Sequence, residues 1–172
     1  MVELKKQNFE ENKNVFNGVK SILCATLGAN TQIEHVGSTA FPNMIGKDII
    51  DILVVASDYG EFEIFTVKIS ELGYFPSTKS ATEVYQFFAS KPTETGAGDI
   101  HIHLSIARTK RCNDFIVLRD YLLSNPQEAE DYANFKINIL KNISSDRGEY
   151  RQVKSDYVSL LIARANANIT RI

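Results

Sequence analysis

A single carboxylate, Asp51, interrupts the apolar run Asp48-Ile49-Ile50-Asp51-Ile52-Leu53-Val54-Val55. Ahead of it lie Ile33-Glu34-His35-Val36-Gly37-Ser38-Thr39 and a spacer through Lys47. This pattern predicts a strand, a tight glycine turn, a short helix, and a second strand that is apolar on both faces except at Asp51. A carboxylate in so apolar a run is costly to bury unless it meets a cation or a hydrogen-bond donor. A Gly-Ser turn that opens a helix is a cradle for phosphate oxygens. Together the two features point to a nucleotide-and-metal site.

The rest of the chain supplies the frame. Steps of three and four among Phe9, Val15, Phe16, Val19, Ile22, Leu23 and Leu27 predict an amphipathic helix over Lys6–Leu27, stopped by Gly28. The central stretch then predicts a strand at Thr31–Val36, a turn and short helix at Thr39–Gly46, and a strand at Ile49–Ala56. Phe62, Phe65, Ile69 and Leu72 mark a second helix, closed by Gly73. Strands are predicted at Tyr74–Ser77 and Thr82–Ala89, followed by a turn-rich break at Lys91–Gly98. Asp99-Ile100-His101-Ile102-His103-Leu104-Ser105-Ile106 alternates polar and apolar residues, the mark of a half-buried strand. Helices at Asn113–Leu123, Pro126–Asn142 and Asp146–Ala167 complete an α+β pattern with helices packed on a sheet.

At 172 residues, with 44% hydrophobic and 23% charged, the chain suits one soluble globular unit. The organisation expected is a core over residues 1–108 with C-terminal helices over 109–172 packed on it. A net charge of -2 argues against a dedicated nucleic-acid binder. Cys24 and Cys112 form no CxxC pair and fall at apolar helical positions, as buried thiols in a reducing compartment do. The start lacks the apolar core of a signal peptide, and no apolar run approaches the ~20 residues of a membrane span. A cytoplasmic location is expected. The consecutive Leu160, Leu161 and Ile162 allow a homodimer as well as a monomer.

Several side chains are candidates for chemistry. Ser38 adds a hydroxyl donor to the backbone N–H groups after Gly37, although it or Thr39 would serve equally as a helix cap. Asp51 shares its strand face with Ile49 and Leu53, whereas Asp48 points to the other face. Asp51 reads either as a metal or catalytic carboxylate or as an acid bonded to a nearby turn. Asp99, His101 and His103 share a face at spacing two. They read either as a divalent-metal rim suited to Zn, Mn or Ni more than Mg, or as a solvated sheet face. His35, entering the turn, suits a structural hydrogen bond better than a ligand. Lys47 and Arg119 are phosphate clamps or members of ion pairs: Lys47 with Asp48 or Glu34, Arg119 with the neighbours of Asp120 or with Glu128. Lys154 and Tyr157 carry the same ambiguity. No Walker sequence, G-x-G-x-x-G or Ser-His-Asp order is present.

The blocks Ile33–Thr39, Lys47–Ile52, His101–Leu104 and Leu118-Arg119-Asp120-Tyr121-Leu122 resemble the GrpB family. The resemblance continues through Asn125-Pro126, Tyr132, Phe135-Lys136 and Lys154, in order along nearly the whole chain. It implies a nucleotidyltransferase-like mixed sheet, related in shape to DNA polymerase beta and kanamycin nucleotidyltransferase, followed by a helical region. That superfamily sets a Gly-Ser turn before a strand carrying Asp-apolar-Asp, with a third carboxylate on a later strand. Gly37 and Ser38 match the turn and Asp51 the second Asp. Ile49 stands at the place of the first, and His101 or His103 falls near the third. Asp48, where the family has Pro, would offer a carboxylate only if the backbone bulged.

Three functional expectations follow. The first is metal-dependent nucleotidyl transfer to an unknown acceptor. Gly37, Ser38, Lys47 and Arg119 would hold a nucleoside triphosphate, while Asp51, His101 and His103 would hold Mg, Mn or Zn. The second is a non-catalytic module that binds a nucleotide or a small phosphorylated ligand. The third is a phosphohydrolase whose His pair holds a metal-activated water. Ile49 separates them, because two-magnesium chemistry requires a carboxylate at its position.

Overall fold

The computed structural model describes residues 4–92, 96, 98–142 and 147–169. Helix α1, Phe9–Leu27, begins where the Asn8 side chain accepts from the Glu11 N–H, and ends at Gly28. It starts later than its periodicity predicts because Lys5–Lys6 form a short strand, β1, antiparallel to β3, Ile45–Gly46. The helix predicted at Thr39–Gly46 is a single 3₁₀ turn, Ser38–Ala40, running into that strand. Between them the Gln7 side chain is buried, donating to the Gly46 carbonyl at 3.0 Å.

Five strands form the main sheet: β2 (Gln32–Val36), β4 (Ile50–Ala56), β5 (Phe75–Thr82), β6 (Tyr85–Ala89) and β7 (Ile100–Ile106). Their order is β2-β4-β7-β6-β5, with only β4 and β7 parallel. Helix α2, Tyr59–Glu71, follows β4 and is capped by the Asp58 side chain. The C-terminal helices are α3 (Lys110–Ser124), α4 (Pro126–Asn142) and α5 (Arg147–Ile169). Helix α3 begins three residues before its predicted start, because Thr109 caps it by accepting from the Cys112 N–H. The predicted start of the last helix, at Asp146, and part of the break at Lys91–Gly98 lie outside the described residues.

Both faces of β4 and β7 are covered. One face carries Ile50, Ile52, Val54, Ile102 and Leu104, packed against Leu23 and Leu27 of α1 and Phe62, Phe65 and Ile69 of α2. Each fully buried Leu or Ile there contributes about 1.5–3 kcal/mol of apolar burial. The other face carries Leu53 and Val55 against Val36, Cys112, Phe115 and Ile116. Cys112 is buried as expected, and Cys24 is partly exposed. A third cluster joins Ala40, Phe41 and Met44 of the glycine-turn segment to Leu122, Tyr132, Ala133 and Leu161 of the C-terminal helices. The segment after Gly37 is thereby clamped between sheet and helices. Among the described residues no helix is long and apolar enough to cross a membrane.

Candidate functional site

Parallel pairing of β4 with β7 sets Asp51 opposite His101 and Leu53 opposite His103, so all four side chains share one face. That face is covered, not solvated: the side chains of His101, His103 and Asp51 are 17%, 13% and 24% exposed. Asp51 Oδ1 lies 3.3 Å from His103 Nε2 and 3.5 Å from His101 Nδ1. The Tyr85 hydroxyl is 2.8 Å from His103 Nδ1. One proton arrangement satisfies the chain of bonds: Tyr85 donates to Nδ1, and Nε2–H donates to Asp51. Arg111 stacks over the Tyr85 ring at 4.1 Å, and Phe87 and Phe115 wall the imidazoles. Burial pushes the Asp51 carboxyl upward, but hydrogen bonds and charge from the two imidazoles outweigh it and hold the group well below the usual carboxylate range. Asp99 takes no part; it is exposed and bonded to Ser90 Oγ at 2.9 Å.

The glycine turn is shaped around that carboxylate. Gly37 adopts φ +72°, and a Cβ there would fall 2.2 Å from Asp51 Oδ2. Close approach and backbone sign thus both require glycine. Ser38 packs against Gly46, where a Cβ would fall 2.2 Å from the Ser38 Oγ, and makes no cap bond. Thr39 is the locking residue: its hydroxyl donates to the Ile49 carbonyl at 3.2 Å and accepts from His35 Nε2 at 3.0 Å. His35 stacks on Phe16 at 4.6 Å between centroids. Burial lowers its pKa to about 4, against an opposing pull from Asp51 and with a smaller push from Arg119. With the expected helix reduced to one 3₁₀ turn, the glycine turn itself offers no α-helix N-terminus to the site.

These residues floor a cavity of about 440 Å³. Gly37, Ser38, Lys47, Ile49, Asp51, His101, His103 and Arg119 all line it, whereas His35, Asp99 and Tyr157 are not among the lining residues. Arg119 reaches it while ion-paired to Glu34 at 2.7 Å and to Asp120 at 2.8 Å. Those two carboxylates raise its pKa against the effect of burial. Asp48 lies outside the cavity, 3.5 Å from Lys5 Nζ and hydrogen-bonded to Gln7, so no bulge brings it to Asp51. The C-terminal helices add Tyr132, Lys136, Tyr150, Arg151 and Lys154 to the wall. Of these, sequence reasoning singled out Lys154 and missed Tyr132, Lys136, Tyr150 and Arg151 as site residues. Lys136 carried a signal, because it falls on the buried face of α4 with Tyr132, Ala133 and Ile139.

A metal of the kind such a fold implies would need free donor atoms on these side chains. The nitrogen and oxygen atoms of His101, His103 and Asp51 that face one another are engaged with one another. Among the described residues no three His, Cys, Asp or Glu side chains are arranged to hold a metal ion. Ile49 lines the cavity where a first carboxylate would stand. The residues present therefore do not fit a two-ion carboxylate centre, and no step is derived through one.

The family model of the GrpB protein matches residues 2–164. The chain belongs to the GrpB family. Among its relatives, glutamate-rich protein GrpB of Alkalihalophilus pseudofirmus is 28% identical over 153 residues, 87% of this chain and 88% of that protein. A UPF0157 protein of Pseudomonas aeruginosa is 30% identical over 135 residues, covering 78% of this chain and 55% of the longer relative. A crystal structure of conserved protein GrpB from Enterococcus faecalis superposes with a TM-score of 0.82 at 20% identity, covering 97% of this chain and 99% of that one. A structure of Cid1, described as having RNA terminal uridylyl transferase activity, gives 0.52 at 12% identity over 77% of this chain and 40% of that one. The nucleotidyltransferase-like mixed α+β fold expected of a GrpB chain is the one observed.

Proposed function

We propose that this GrpB-family protein binds a phosphorylated small molecule, foremost a nucleoside triphosphate, in the cavity above Asp51, as a binding or regulatory module. One observation carries the reading: Lys47, Arg119, Lys136, Arg151 and Lys154 line the cavity, against Asp51 as the one lining carboxylate among the described residues. A partly enclosed space with that charge balance favours an anion. Each charge-assisted hydrogen bond formed there contributes about 1.5–3 kcal/mol. The Ser38 hydroxyl adds a neutral donor. His101 Nε2 is buried with no hydrogen-bond partner among the described residues, an atom that a ligand oxygen would satisfy.

Thermal shift with ATP, GTP and tripolyphosphate, with and without divalent ions, tests this. The expected result is a rise in melting temperature with at least one polyphosphate, reduced in Ser38→Ala and in Lys154→Ala. No rise with any of them sinks the reading. Nucleotidyl transfer is the second reading, favoured by the fold and by the placement of Asp51 beside the turn. It requires pyrophosphate release from a bound triphosphate that is lost in Asp51→Asn. The phosphohydrolase reading has less support, since His103 spends both ring nitrogens on Tyr85 and Asp51.

A further inference from the structure

The amine of Lys136 is the most unusual charge in the molecule. The residue is 2% exposed, yet it lines the cavity. Its Nζ donates to the Ile45 carbonyl and sits 4.7 Å over the Tyr132 ring. No carboxylate among the described residues pairs with it. Lysine is seldom buried without such a partner, because a desolvated ammonium needs a counter-charge.

The groups around it do not supply one. On α4 its neighbour is the Tyr132 phenol, which burial keeps protonated. From α5 come Tyr150, Arg151 and Lys154, and from α3 Arg119, already paired with Glu34 and Asp120. Across the cavity stand Lys47 and the Asp51 group with its two imidazoles, and Asp51 bonds to His103. Burial, followed by repulsion from Lys154, brings the Lys136 pKa down to about 7.

We propose that Lys136 is the anchoring cation for the anionic ligand and that the amine takes up a proton as the ligand binds. The inference rests on the anion-binding reading of the cavity. A polyphosphate oxygen supplies the counter-charge that the described residues withhold, so the ammonium form is favoured in the occupied cavity. The proton comes from solvent and adds to the amine, and no covalent bond to the ligand forms. Occupancy is thereby selective for a fully ionised phosphate over a zwitterionic ligand of the same size. It weakens in alkali, where the empty cavity holds a neutral amine.

Calorimetric titration of the intact protein with ATP at pH 8, in two buffers of different ionisation enthalpy, tests the proposal. The phosphate groups are already ionised at that pH and a cationic cavity keeps them so, which leaves the ligand no proton to release that would mask uptake by the protein. The expected uptake is about 0.9 proton per ATP bound. The affinity should fall by about 50-fold between pH 7 and pH 9. Lys136→Arg, charged throughout, is expected to bind ATP with no uptake and a much flatter pH profile. ATP binding without uptake in the parent overturns the role of Lys136 and leaves the anion-binding reading standing. Uptake that persists in Lys136→Arg overturns the assignment to this residue. Failure of both ATP and tripolyphosphate to bind overturns both inferences. The parent measurement is decisive whether or not the variant folds.

Discussion

Gly37 shows how one residue ties the backbone to the site. Its positive φ is expensive for a side-chain residue, and the space a Cβ would need is occupied by the Asp51 carboxylate. Gly37→Ala is therefore expected to lose about 2–4 kcal/mol in denaturant unfolding, combining backbone strain with overpacking. Adding Asp51→Gly should restore the steric part and leave the strain, so the double variant should be more stable than the sum of the two changes. Strict additivity would show that the two residues do not meet. Glycine is thus needed here to admit a carboxylate, a reason different from the phosphate cradle that the Gly-Ser dipeptide suggests.

At the scale of elements, the parallel β4–β7 pair assembles the site, because its register sets Asp51 beside His101 and Leu53 beside His103. Strand β6 then delivers Tyr85, whose hydroxyl donates to the Nδ1 that Asp51, by accepting from Nε2–H, leaves unprotonated. Nitrogen-15 NMR of the imidazoles should show His103 protonated at Nε2 in the parent. In Tyr85→Phe the Nδ1 partner is gone but Asp51 still accepts from Nε2–H, so the same tautomer and a loss of about 1 kcal/mol are expected. A mixed tautomer population in the variant would show that Tyr85, not Asp51, controls His103. Much of this was legible in the sequence. The period-two alternation of β7 puts both histidines on one face, and the apolar run of β4 marks Asp51 as an exception. Less legible was the segment after Gly37. Thr39-Ala40-Phe41 reads as a helix start, but the Thr39 side-chain bonds to His35 and Ile49 and the distant pairing with Lys5–Lys6 draw the segment into a 3₁₀ turn and a strand. Tertiary contacts of this kind leave no periodic trace. Asp99 shows the same limit: its spacing matches the histidines, but it lies at the strand end, where Ser90 captures it.

For the whole molecule, the buried titratable groups tilt stability in one direction. His35 has a folded pKa of about 4 against an ordinary 6.5, so the unfolded chain holds more protons between those values. Stability then falls as pH drops through that window, by about 1–3 kcal/mol. Asp51, held below the usual carboxylate range, adds a further loss once pH passes below its ordinary value. Lys136 acts at the other end: the unfolded chain keeps its proton up to about 10.5 while the fold releases it near 7, so stability rises across that interval. The melting temperature of the ligand-free protein should therefore climb from pH 4 to pH 9 without a maximum near neutrality. His35→Gln should flatten the acid limb, and Lys136→Met the alkaline one. A maximum at pH 7 in the parent would contradict the Lys136 assignment, and a flat acid limb the His35 one.

The two-residue ladder between Lys5–Lys6 and Ile45–Gly46 carries a practical consequence. It lays the start of the described chain along the cavity wall, with Leu4 among the lining residues and the Ile45 carbonyl receiving the Lys136 amine from the other side. The segment ahead of α1 and the Lys136 amine thus share one short strand as a common support. A fluorophore attached at Lys5, beside Leu4, would sit at the cavity wall, and a change in its emission on adding ATP would read the proposed occupancy directly.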